Sequence, residues 1–342
     1  MKYWLALLLH FPLLGNAAVI LQYHHVSDHT PQITSISPKK FREHMAYLKY
    51  EKFQVIALPE MLDALKKNKP LPSKAVAITF DDGYKNVFEN ARPILNEYQF
   101  PYTVFVNPLM VENKHGSAMT WGQLKTLQDE GVTIANHSQH HDYMVRQERQ
   151  DSTQYFSKEI LVAEEALRKH LGTSYRIFAY PYGEFSPKLQ QFLSQHHFIG
   201  IGQHSGAVGP YTDFTRIPRF PASGIYADLN ALKTKLKSLA FHLKSKLPEP
   251  MVYEKKPKLS IVFQVQDFKT KQLMCFVSGQ GAVQPTIEKM GKNQVRLTIQ
   301  AKSALPMGRS RYNCTAPSMS QPGRFYWFSQ PWLVMREPSK TE

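Results

Sequence analysis

Short apolar runs alternate with amphipathic stretches from Val19 to about Leu243, and this alternation limits the fold more than any other feature. Six runs have the length and apolar content of strands: Val19–Tyr23, Gln54–Leu58, Ala75–Phe80, Tyr102–Val106, Val132–Asn136 and Arg176–Tyr180. Helical periodicity is seen between them, over Pro38–Lys49, Pro59–Lys67, Asn90–Tyr98, Trp121–Glu130, Tyr155–Leu171 and Pro187–His196. Such alternation predicts a parallel sheet covered by helices, either open or closed into a barrel. In barrels of this kind the reacting groups lie at the carboxyl ends of the strands.

Three helix starts are marked in this region. Ser37-Pro38, Ser186-Pro187 and Thr120 each favour a start, because a Ser or Thr side chain can accept a hydrogen bond from a free backbone N–H of the first turn. Proline is tolerated at the first helical position, where its missing N–H costs nothing.

The composition changes after residue 243. Residues 244–257 are rich in Lys and Pro, which predicts a linker. Four further runs are typical of strands, and no strong helical period accompanies them: Leu259–Asp267, Gln272–Ser278, Gln294–Ala301 and Arg324–Ser329. We therefore predict a first domain over residues 19–243 and a small all-β, sandwich-like domain over residues 258–338. No motif assigns a role to the second domain.

Residues 1–18 have the pattern of a secretory signal peptide. Lys2 gives the positive start, Tyr3–Leu14 is largely apolar, and Gly15 and Ala17 are the small residues expected before a cleavage site. A membrane anchor is the alternative, but the apolar run is shorter than the roughly 20 residues needed to span a bilayer. We therefore expect a protein without a transmembrane span that is exported to the periplasm or cell envelope.

The charge balance favours anionic surroundings. Lys and Arg number 42 and Asp and Glu number 27, so the net charge is 42 − 27 = +15. Nucleic acid is not an expected partner, because the protein is exported and its lysines are dispersed or grouped in the linker. Peripheral contact with an anionic envelope surface fits the same charge. Cys275 and Cys314 are expected to pair in an oxidising compartment, the alternative being two buried thiols.

Asp81 and Asp82 directly follow the apolar run that ends at Phe80. Two adjacent carboxylates at a strand end are costly unless they bind a cation or differ in protonation. A solvated Asp-Gly turn is the simpler explanation for this motif taken alone.

His137 and His141 follow the run that ends at Asn136 and lie four residues apart. Two imidazoles and one carboxylate would give a metal such as zinc three ligands and leave a fourth position for water. His140 is a competing partner, and the four-residue spacing favours the other two histidines.

Tyr180, Pro181 and Tyr182 form a third polar and aromatic motif, followed by Gly183. Aromatic rings of this kind can pack against sugar rings, and a backbone N–H here could help to hold an oxyanion. A strand-to-loop turn packed by tyrosines is the alternative.

The three motifs in this order resemble those of the polysaccharide deacetylases of the NodB-homology group, carbohydrate esterase family 4. The matching stretches are TFDDG at 79–83, HSQHH at 137–141 and YPYG at 180–183. VILQYHHV at 19–26 and SPKKFREHMAYLK at 37–49 are similar to the branch that deacetylates poly-N-acetylglucosamine. The resemblance covers roughly residues 19–225. Our fold prediction is thus an α/β protein, a distorted (β/α)7 TIM-like barrel followed by the small all-β domain.

The resemblance implies a hydrolase that removes acetate from the acetamide groups of an N-acetylglucosamine polymer. Asp82, His137 and His141 would bind a divalent metal, Zn²⁺ in the first instance. Asp81 would be the general base for the attacking water. The backbone N–H of Tyr182 would help to hold the oxyanion, and Tyr180, Pro181 and Tyr182 would line the substrate site.

Two features depart from the family pattern. Many relatives place an Arg two residues before the Pro of the third motif, where it orients the base, but this chain has Ala179; Arg216 or Arg219 could supply that charge. The usual Leu-x-His that carries the general acid is not evident. His204 is the better-placed substitute, because it follows an apolar run of the kind that ends a strand, and His242 is the other.

The identity of the polymer stays open between poly-N-acetylglucosamine, peptidoglycan and a chitin-like chain. An inactive glycan-binding protein on the same fold is one alternative function, and an O-acetyl esterase is another. The retained Asp81, Asp82, His137 and His141 argue against the inactive protein, which would have no physical need for all four.

Overall fold

The computed structural model describes residues 17–147, 152–265 and 267–337. The signal peptide predicted over residues 1–18 lies outside them, apart from its last two residues. Ala18 exchanges two backbone hydrogen bonds with Val208, each of 2.9 Å. Within the described ranges, no helix has the length and apolar character needed to cross a bilayer.

The first part of the chain forms a parallel sheet. Its strands and two short flanking ones are β1 (Val19–Tyr23), β2 (His25–Val26), β3 (Ser35–Ile36), β4 (Gln54–Val55), β5 (Ala75–Phe80), β6 (Thr103–Val106), β7 (Thr133–Asn136), β8 (Ile177–Ala179), β9 (Ile199–Ile201) and β10 (Phe220–Pro221). The order is β10-β1-β5-β6-β7-β8-β9, with β4 beside β5. Every residue of β1 and β5 is buried, as expected of central strands covered on both faces.

The sheet curls into a ring of seven strands. Ile217 pairs with Ile201 of β9, and Phe220 three residues later pairs with Leu21 of β1. The segment between these two residues therefore joins the last strand to the first. This arrangement confirms the predicted distorted (β/α)7 barrel.

Helices connect the strands on the outside of the barrel. They are α1 (Pro38–Tyr50), α2 (Leu58–Lys66), α3 (Arg92–Tyr98), α4 (Pro108–Glu112), α5 (Trp121–Asp129), α6 (Ser152–Phe156), α7 (Val162–Leu171), α8 (Pro187–Gln195) and α9 (Leu229–Leu236). The three predicted helix starts are confirmed. Ser37 Oγ and Ser186 Oγ accept first-turn N–H groups at 3.2 and 3.1 Å, and Thr120 forms a capping box at the start of α5.

One predicted strand is too long. The run Gln54–Leu58 forms only the two-residue strand β4, because Leu58 already begins α2. Leu58 is buried as a helix residue, so its apolar character did not distinguish the two elements.

The C-terminal strands form two further sheets. They are β11 (Ser238–Ala240), β12 (Met251–Val252), β13 (Lys258–Gln264), β14 (Met274–Val277), β15 (Gly281–Val283), β16 (Thr286–Gly291), β17 (Gln294–Gln300), β18 (Gly308–Pro317) and β19 (Phe325–Val334). One sheet has the order β11-β19-β18-β14-β15, with β12 also on β19, and the other has the order β13-β17-β16. Buried residues alternate along β13, β17 and β18, and Leu259, Leu297 and Tyr312 share one apolar core. The prediction of separate all-β layers after the barrel is confirmed.

The larger sheet begins before residue 258. β11 lies inside the predicted first domain and β12 inside the predicted linker, and both pair in parallel with β19. The division at residues 243 and 258 therefore stays a prediction. Cys275 and Cys314 face each other on β14 and β18 and form a disulfide.

A candidate metal centre at the carboxyl ends of the strands

Asp82, His137 and His141 converge at one end of the barrel. Asp82 Oδ1 lies 3.1 Å from His137 Nε2 and 3.2 Å from His141 Nε2. Their candidate ligand atoms all lie within 4.8 Å of one another. The convergence follows from topology, because Asp82 follows β5, the two histidines follow β7, and only β6 separates these strands. One carboxylate and two imidazoles form a donor set suited to zinc.

The hydrogen bonding of His137 fixes its proton. Its Nδ1 lies 2.8 Å from the carbonyl oxygen of Ala179, which can only accept, so Nδ1 carries the hydrogen. Nε2 of the neutral ring therefore presents a lone pair to Asp82 Oδ1. Both atoms are buried and neither has a hydrogen-bond partner among the described residues. At 3.1 Å these two acceptors repel each other unless a cation lies between them, either a proton on Nε2 or a metal ion, so these residues can hold a metal ion.

The electrostatics of the centre also favour a cation. Burial lowers the pKa of His137, but the neighbouring Asp82 and Asp81 carboxylates raise it above its ordinary value. Burial raises the pKa of Asp82, yet contact with His137 and His141 brings it well below the usual range. The carboxylate is thus ionised, and its surroundings attract positive charge.

The backbone around the centre is strained. Asp82, Ser138, His141 and Tyr182 have φ angles of +70°, +67°, +59° and +58°, in the left-handed region that non-glycine residues avoid. The side-chain amide of Asn107 holds the loop after β7 through the carbonyl groups of His137 and Ser138. Each such residue costs on the order of 1–3 kcal/mol, and strain of this kind clusters at functional sites.

Asp81 is held apart from the metal candidates. Arg219 donates from Nη1 to Oδ1 at 2.7 Å and from Nη2 to Oδ2 at 2.8 Å, and Gln22 Nε2 donates to Oδ2 at 2.7 Å. Both Asp81 and Arg219 are fully buried. Burial by itself would raise the pKa of Asp81, but the Arg219 guanidinium brings it down to about 2. Asp81 is therefore a fixed carboxylate beside the centre.

The sequence left two arginines open as partners of Asp81, and the geometry selects Arg219. Its Nε also donates to the carbonyl of Gly202 at 2.9 Å, which ties it to the end of β9. Arg216 instead donates to Gln330 Oε1 at 3.1 Å, on β19. Ala179, which stands where relatives carry the arginine, contributes its carbonyl to His137.

Three histidines near the motifs have other partners. His140, the competitor for the ligand position, places Nδ1 2.6 Å from Glu159 Oε1. The His25 ring stacks on Tyr84 at 3.6 Å. The ring of His242 stacks on Tyr211 at 3.4 Å.

His24 was not predicted as a functional residue, yet it lies at the centre. Its Nε2 is 3.8 Å from Asp81 Oδ2, and its side chain is 19% exposed. The order of the strands could have predicted the position of His24, because His24 follows β1 and β1 neighbours β5, which leads to Asp81. His204, the predicted acid, is buried; burial and the charges of Arg216, Arg311 and Arg219 bring its pKa well below the usual range.

The third motif contributes one side chain to the centre. The ring of Tyr182 lies 4.6 Å from His141 and stacks on Tyr143 at 3.8 Å. Tyr180 is fully buried, and its hydroxyl donates to the carbonyl of Thr215 at 2.6 Å. Pro181 is buried as well. The expectation that Tyr180 and Pro181 present a surface to a sugar is therefore wrong, because both belong to the packed interior.

Comparison with known proteins identifies relatives for the barrel. The sequence profile of the family described as polysaccharide deacetylase matches residues 68–200. A poly-beta-1,6-N-acetyl-D-glucosamine N-deacetylase of Staphylococcus epidermidis is 27% identical over 231 residues, 61% of this chain and 80% of that protein. A putative polysaccharide deacetylase of Bacillus subtilis, YxkH, is 31% identical over 122 residues, 36% of this chain and 42% of that protein.

Solved structures agree with this match. IcaB from Ammonifex degensii gives a TM-score of 0.58 at 26% identity, over 64% of this chain and 97% of that one. The Streptococcus pyogenes deacetylase PplD gives 0.57 at 22% identity, over 61% and 94% of the two chains, which shows the shared fold. The profile match spans the three motifs that converge at the metal centre. Residues 68–200 therefore match the polysaccharide deacetylase family, and the relatives and solved structures that this chain resembles are deacetylases, hydrolases acting on carbon–nitrogen bonds.

Proposed function

We propose that this protein is a metal-dependent N-deacetylase that hydrolyses acetamide groups of an N-acetylglucosamine polymer and releases acetate. The observation that carries the proposal is the pair of facing, unpartnered acceptors, Asp82 Oδ1 and His137 Nε2, beside the separate carboxylate of Asp81. Two carboxylates with different neighbours suit a hydrolysis that needs one metal ligand and one base. The name of the Staphylococcus epidermidis relative supports the substrate class.

Asp82, His137 and His141 would hold the metal, with zinc as the first expectation. A divalent cation there would acidify a water molecule and polarise the acetamide carbonyl. Asp81 would take the proton of the attacking water, because it is ionised at neutral pH and Arg219 keeps it in one orientation. The backbone N–H of Tyr182, next to His141, would donate to the oxygen that becomes negative.

The leaving amine needs a proton, and His24 is the better donor. It is partly exposed and lies within 3.8 Å of Asp81, so it can reach a substrate bound over the centre. His204 is buried among cationic side chains that lower its pKa, so the protonated form that could donate is scarcely populated at neutral pH. We therefore assign the general acid to His24 and keep His204 as the alternative.

The substrate and the compartment are part of the same proposal. Poly-N-acetylglucosamine is the first choice, and peptidoglycan and chitin-like oligomers are the others. We place the protein outside the cytoplasm, exported by the signal peptide predicted over residues 1–18. The charge of +15 supports peripheral contact with an anionic envelope.

The test is metal analysis combined with acetate release from the three glycans. The purified protein should contain about one divalent ion, lose activity with a chelator and regain it with zinc. His137→Ala should lose both the metal and the activity, and His140→Asn is the matched control because His140 pairs with Glu159. Bound zinc without acetate release from any N-acetylated glycan would support the inactive sugar-binding protein. Release from O-acetyl esters alone would support the esterase.

A further inference from the structure

A cleft of about 330 Å³ lies beside the metal centre, between the barrel and the larger C-terminal sheet. Tyr182–Phe185 and Gln203–His204 form its barrel wall. Ser278, Arg309–Arg311 and Pro331–Leu333 form most of the opposite wall. The volume is at the lower end of the roughly 300–1,000 Å³ of small-molecule sites, so it suits a short ligand segment.

Tyr182 connects the cleft to the metal centre. Its ring contacts that of His141 at 4.6 Å, and the same residue lines the cleft. Its carbonyl accepts a hydrogen bond of 2.8 Å from Arg309 Nη1, and the Arg309 guanidinium lies 5.8 Å from the Tyr182 ring. Tyr182 is therefore shared by the candidate metal centre and the cleft, so a polymer bound over the centre has the cleft as its neighbouring surface.

Three residues that line the cleft carry buried polar atoms that the chain itself does not pair. His204 Nδ1, Ser310 Oγ and Trp332 Nε1 are buried and have no partner among the described residues. Their residues are only 7%, 6% and 2% exposed. Buried polar atoms are nearly always paired in native proteins, so three exceptions around one cleft are unusual. Arg311 is half-buried in the cleft wall, and its hydrogen bonds with Ser278 use its backbone N–H and carbonyl.

The charge of the cleft is positive. Glu184 is the carboxylate in its lining, and Arg146 binds it with two hydrogen bonds of 3.0 and 2.5 Å. Arg309 Nε also lies 3.9 Å from Glu184 Oε1, so one carboxylate faces the three guanidinium groups of Arg146, Arg309 and Arg311, and the cleft keeps a net positive charge. Guanidinium groups donate to hydroxyl and carbonyl oxygens, but they repel an ammonium group in the same space.

We propose that this cleft binds the sugar next to the one being deacetylated, and that it accepts N-acetylglucosamine in preference to glucosamine. The inference rests on the proposed function and adds a role for the C-terminal sheet, which supplies Arg309 and Arg311. A residue that has already lost its acetyl group carries an ammonium at neutral pH and is excluded from the cleft. The enzyme would then leave free amines separated along the polymer.

The experiment compares Arg311→Gln with the wild type on N-acetylglucosamine oligomers of two to six units. Wild-type kcat/KM should rise with length. In Arg311→Gln, kcat/KM should fall roughly tenfold on the longest oligomer, which is the effect of losing one charge-assisted hydrogen bond. On the shortest oligomer kcat/KM should change little. Arg296→Gln is the matched control, because Arg296 lies on β17 in the other sheet and pairs with Glu288. Mass-spectrometric sequencing should find separated amines from the wild type and adjacent amines from Arg311→Gln.

Arg311→Lys separates the two parts of the proposal. Lysine keeps the positive charge and loses the planar fork of donors, so it should bind long oligomers weakly yet still leave separated amines. Equal length dependence and equal product patterns for Arg311→Gln and Arg296→Gln would overturn the inference. If the wild type released no acetate at all, the proposed function would fail instead. Calorimetric binding of the hexamer to wild type and Arg311→Gln would still decide whether the cleft binds sugar.

Discussion

Asp81 and Asp82 are adjacent and chemically identical, yet they face different partners. Arg219 and Gln22 fill the hydrogen-bonding positions of Asp81, whereas Asp82 turns an unpartnered oxygen toward two imidazoles. The left-handed φ of +70° at Asp82 separates the directions of the two side chains. The proposed division between base and metal ligand thus depends on the backbone and on Arg219, which lies 138 positions away in sequence.

At this scale the sequence predicts the cluster of proposed metal ligands better than the residues that hold the neighbouring carboxylate in place. Strand order alone brings Asp82, His137 and His141 together, because each follows a neighbouring or near-neighbouring strand. Arg219 could not be separated from Arg216, because the choice depends on how the chain closes the ring after β9. Tyr180 was misjudged because a motif does not show which side chains turn into the core.

Replacing Arg219 should destabilise the protein. Arg219→Met leaves the fully buried Asp81 without its cation, which typically costs about 3–5 kcal/mol. Urea denaturation measures the change in the free energy of unfolding. Arg296→Met, which breaks the exposed pair with Glu288, should cost less than about 1 kcal/mol. If both variants lost the same free energy of unfolding, the buried pair would contribute no more to stability than the exposed pair, and the prediction would be wrong.

The assignment of the acid predicts a difference between two histidine variants. His24→Asn should lower kcat on a short substrate by about 10²–10⁴-fold while zinc stays bound, because the leaving amine is no longer protonated. His204→Asn should change kcat on that substrate by less than about tenfold, since a neutral buried ring donates poorly. The opposite ranking would return the acid role to His204.

Among the elements, α1 shows how a helix is attached to the barrel. Its His44 is completely buried, with Nδ1 3.0 Å from the Tyr23 hydroxyl of β1 and Nε2 3.1 Å from the carbonyl of Ala227. A neutral ring with the hydrogen on Nε2 satisfies both contacts. Burial lowers the pKa of His44 to about 4.

This histidine predicts a loss of stability in mild acid. Its pKa of about 4 in the folded protein is below its ordinary value of 6.5, so the unfolded chain binds the extra proton first. The neutral His44 ring contributes about 3 kcal/mol to the free energy of unfolding. This contribution is fully present above pH 6.5 and is lost as the pH falls through 4. Denaturation at several pH values should therefore show a shallower slope between pH 6.5 and 4 for His44→Asn than for the wild type. Identical slopes would contradict the assignment.

The longer helices were predictable from the sequence, and the strands of two or three residues were not. Capping residues and periodicity predict α1, α5 and α8 to within one residue of their ends. β11 and β12 have three and two residues, and they form strands only because β19 lies alongside them. No local pattern marks such segments, since their pairing depends on tertiary contacts.

In the whole molecule, the barrel and the C-terminal sheets are joined by buried contacts. Arg216 reaches Gln330 on β19, and Phe220 of β10 packs edge-to-face on Trp327 at 5.2 Å. Arg309 reaches the loop that carries Tyr182. The sequence predicts both layers, yet it gives no sign that they meet at the metal centre.

The disulfide predicts how the C-terminal sheets respond to reduction. Cys275 and Cys314 close a loop with a sequence separation of 39, so the bond should add about 4 kcal/mol by restricting the unfolded chain. Reductant should lower the melting temperature of the wild type and leave that of Cys275→Ala/Cys314→Ala unchanged. Zinc content should stay the same in both, because the metal centre belongs to the barrel. Thiol counting would first confirm that the disulfide is reduced. If the melting temperature of the wild type then stayed the same, the prediction would be contradicted.

The most direct test of the metal centre compares zinc content and turnover in Asp81→Asn and Asp82→Asn. Asp81→Asn should keep about one zinc per chain and lose acetate release by at least about 10²-fold, because it removes the base and leaves the ligands. Asp82→Asn should lose the zinc itself, because it removes the charged ligand. Zinc retained by Asp82→Asn, or native turnover by Asp81→Asn, would contradict the account.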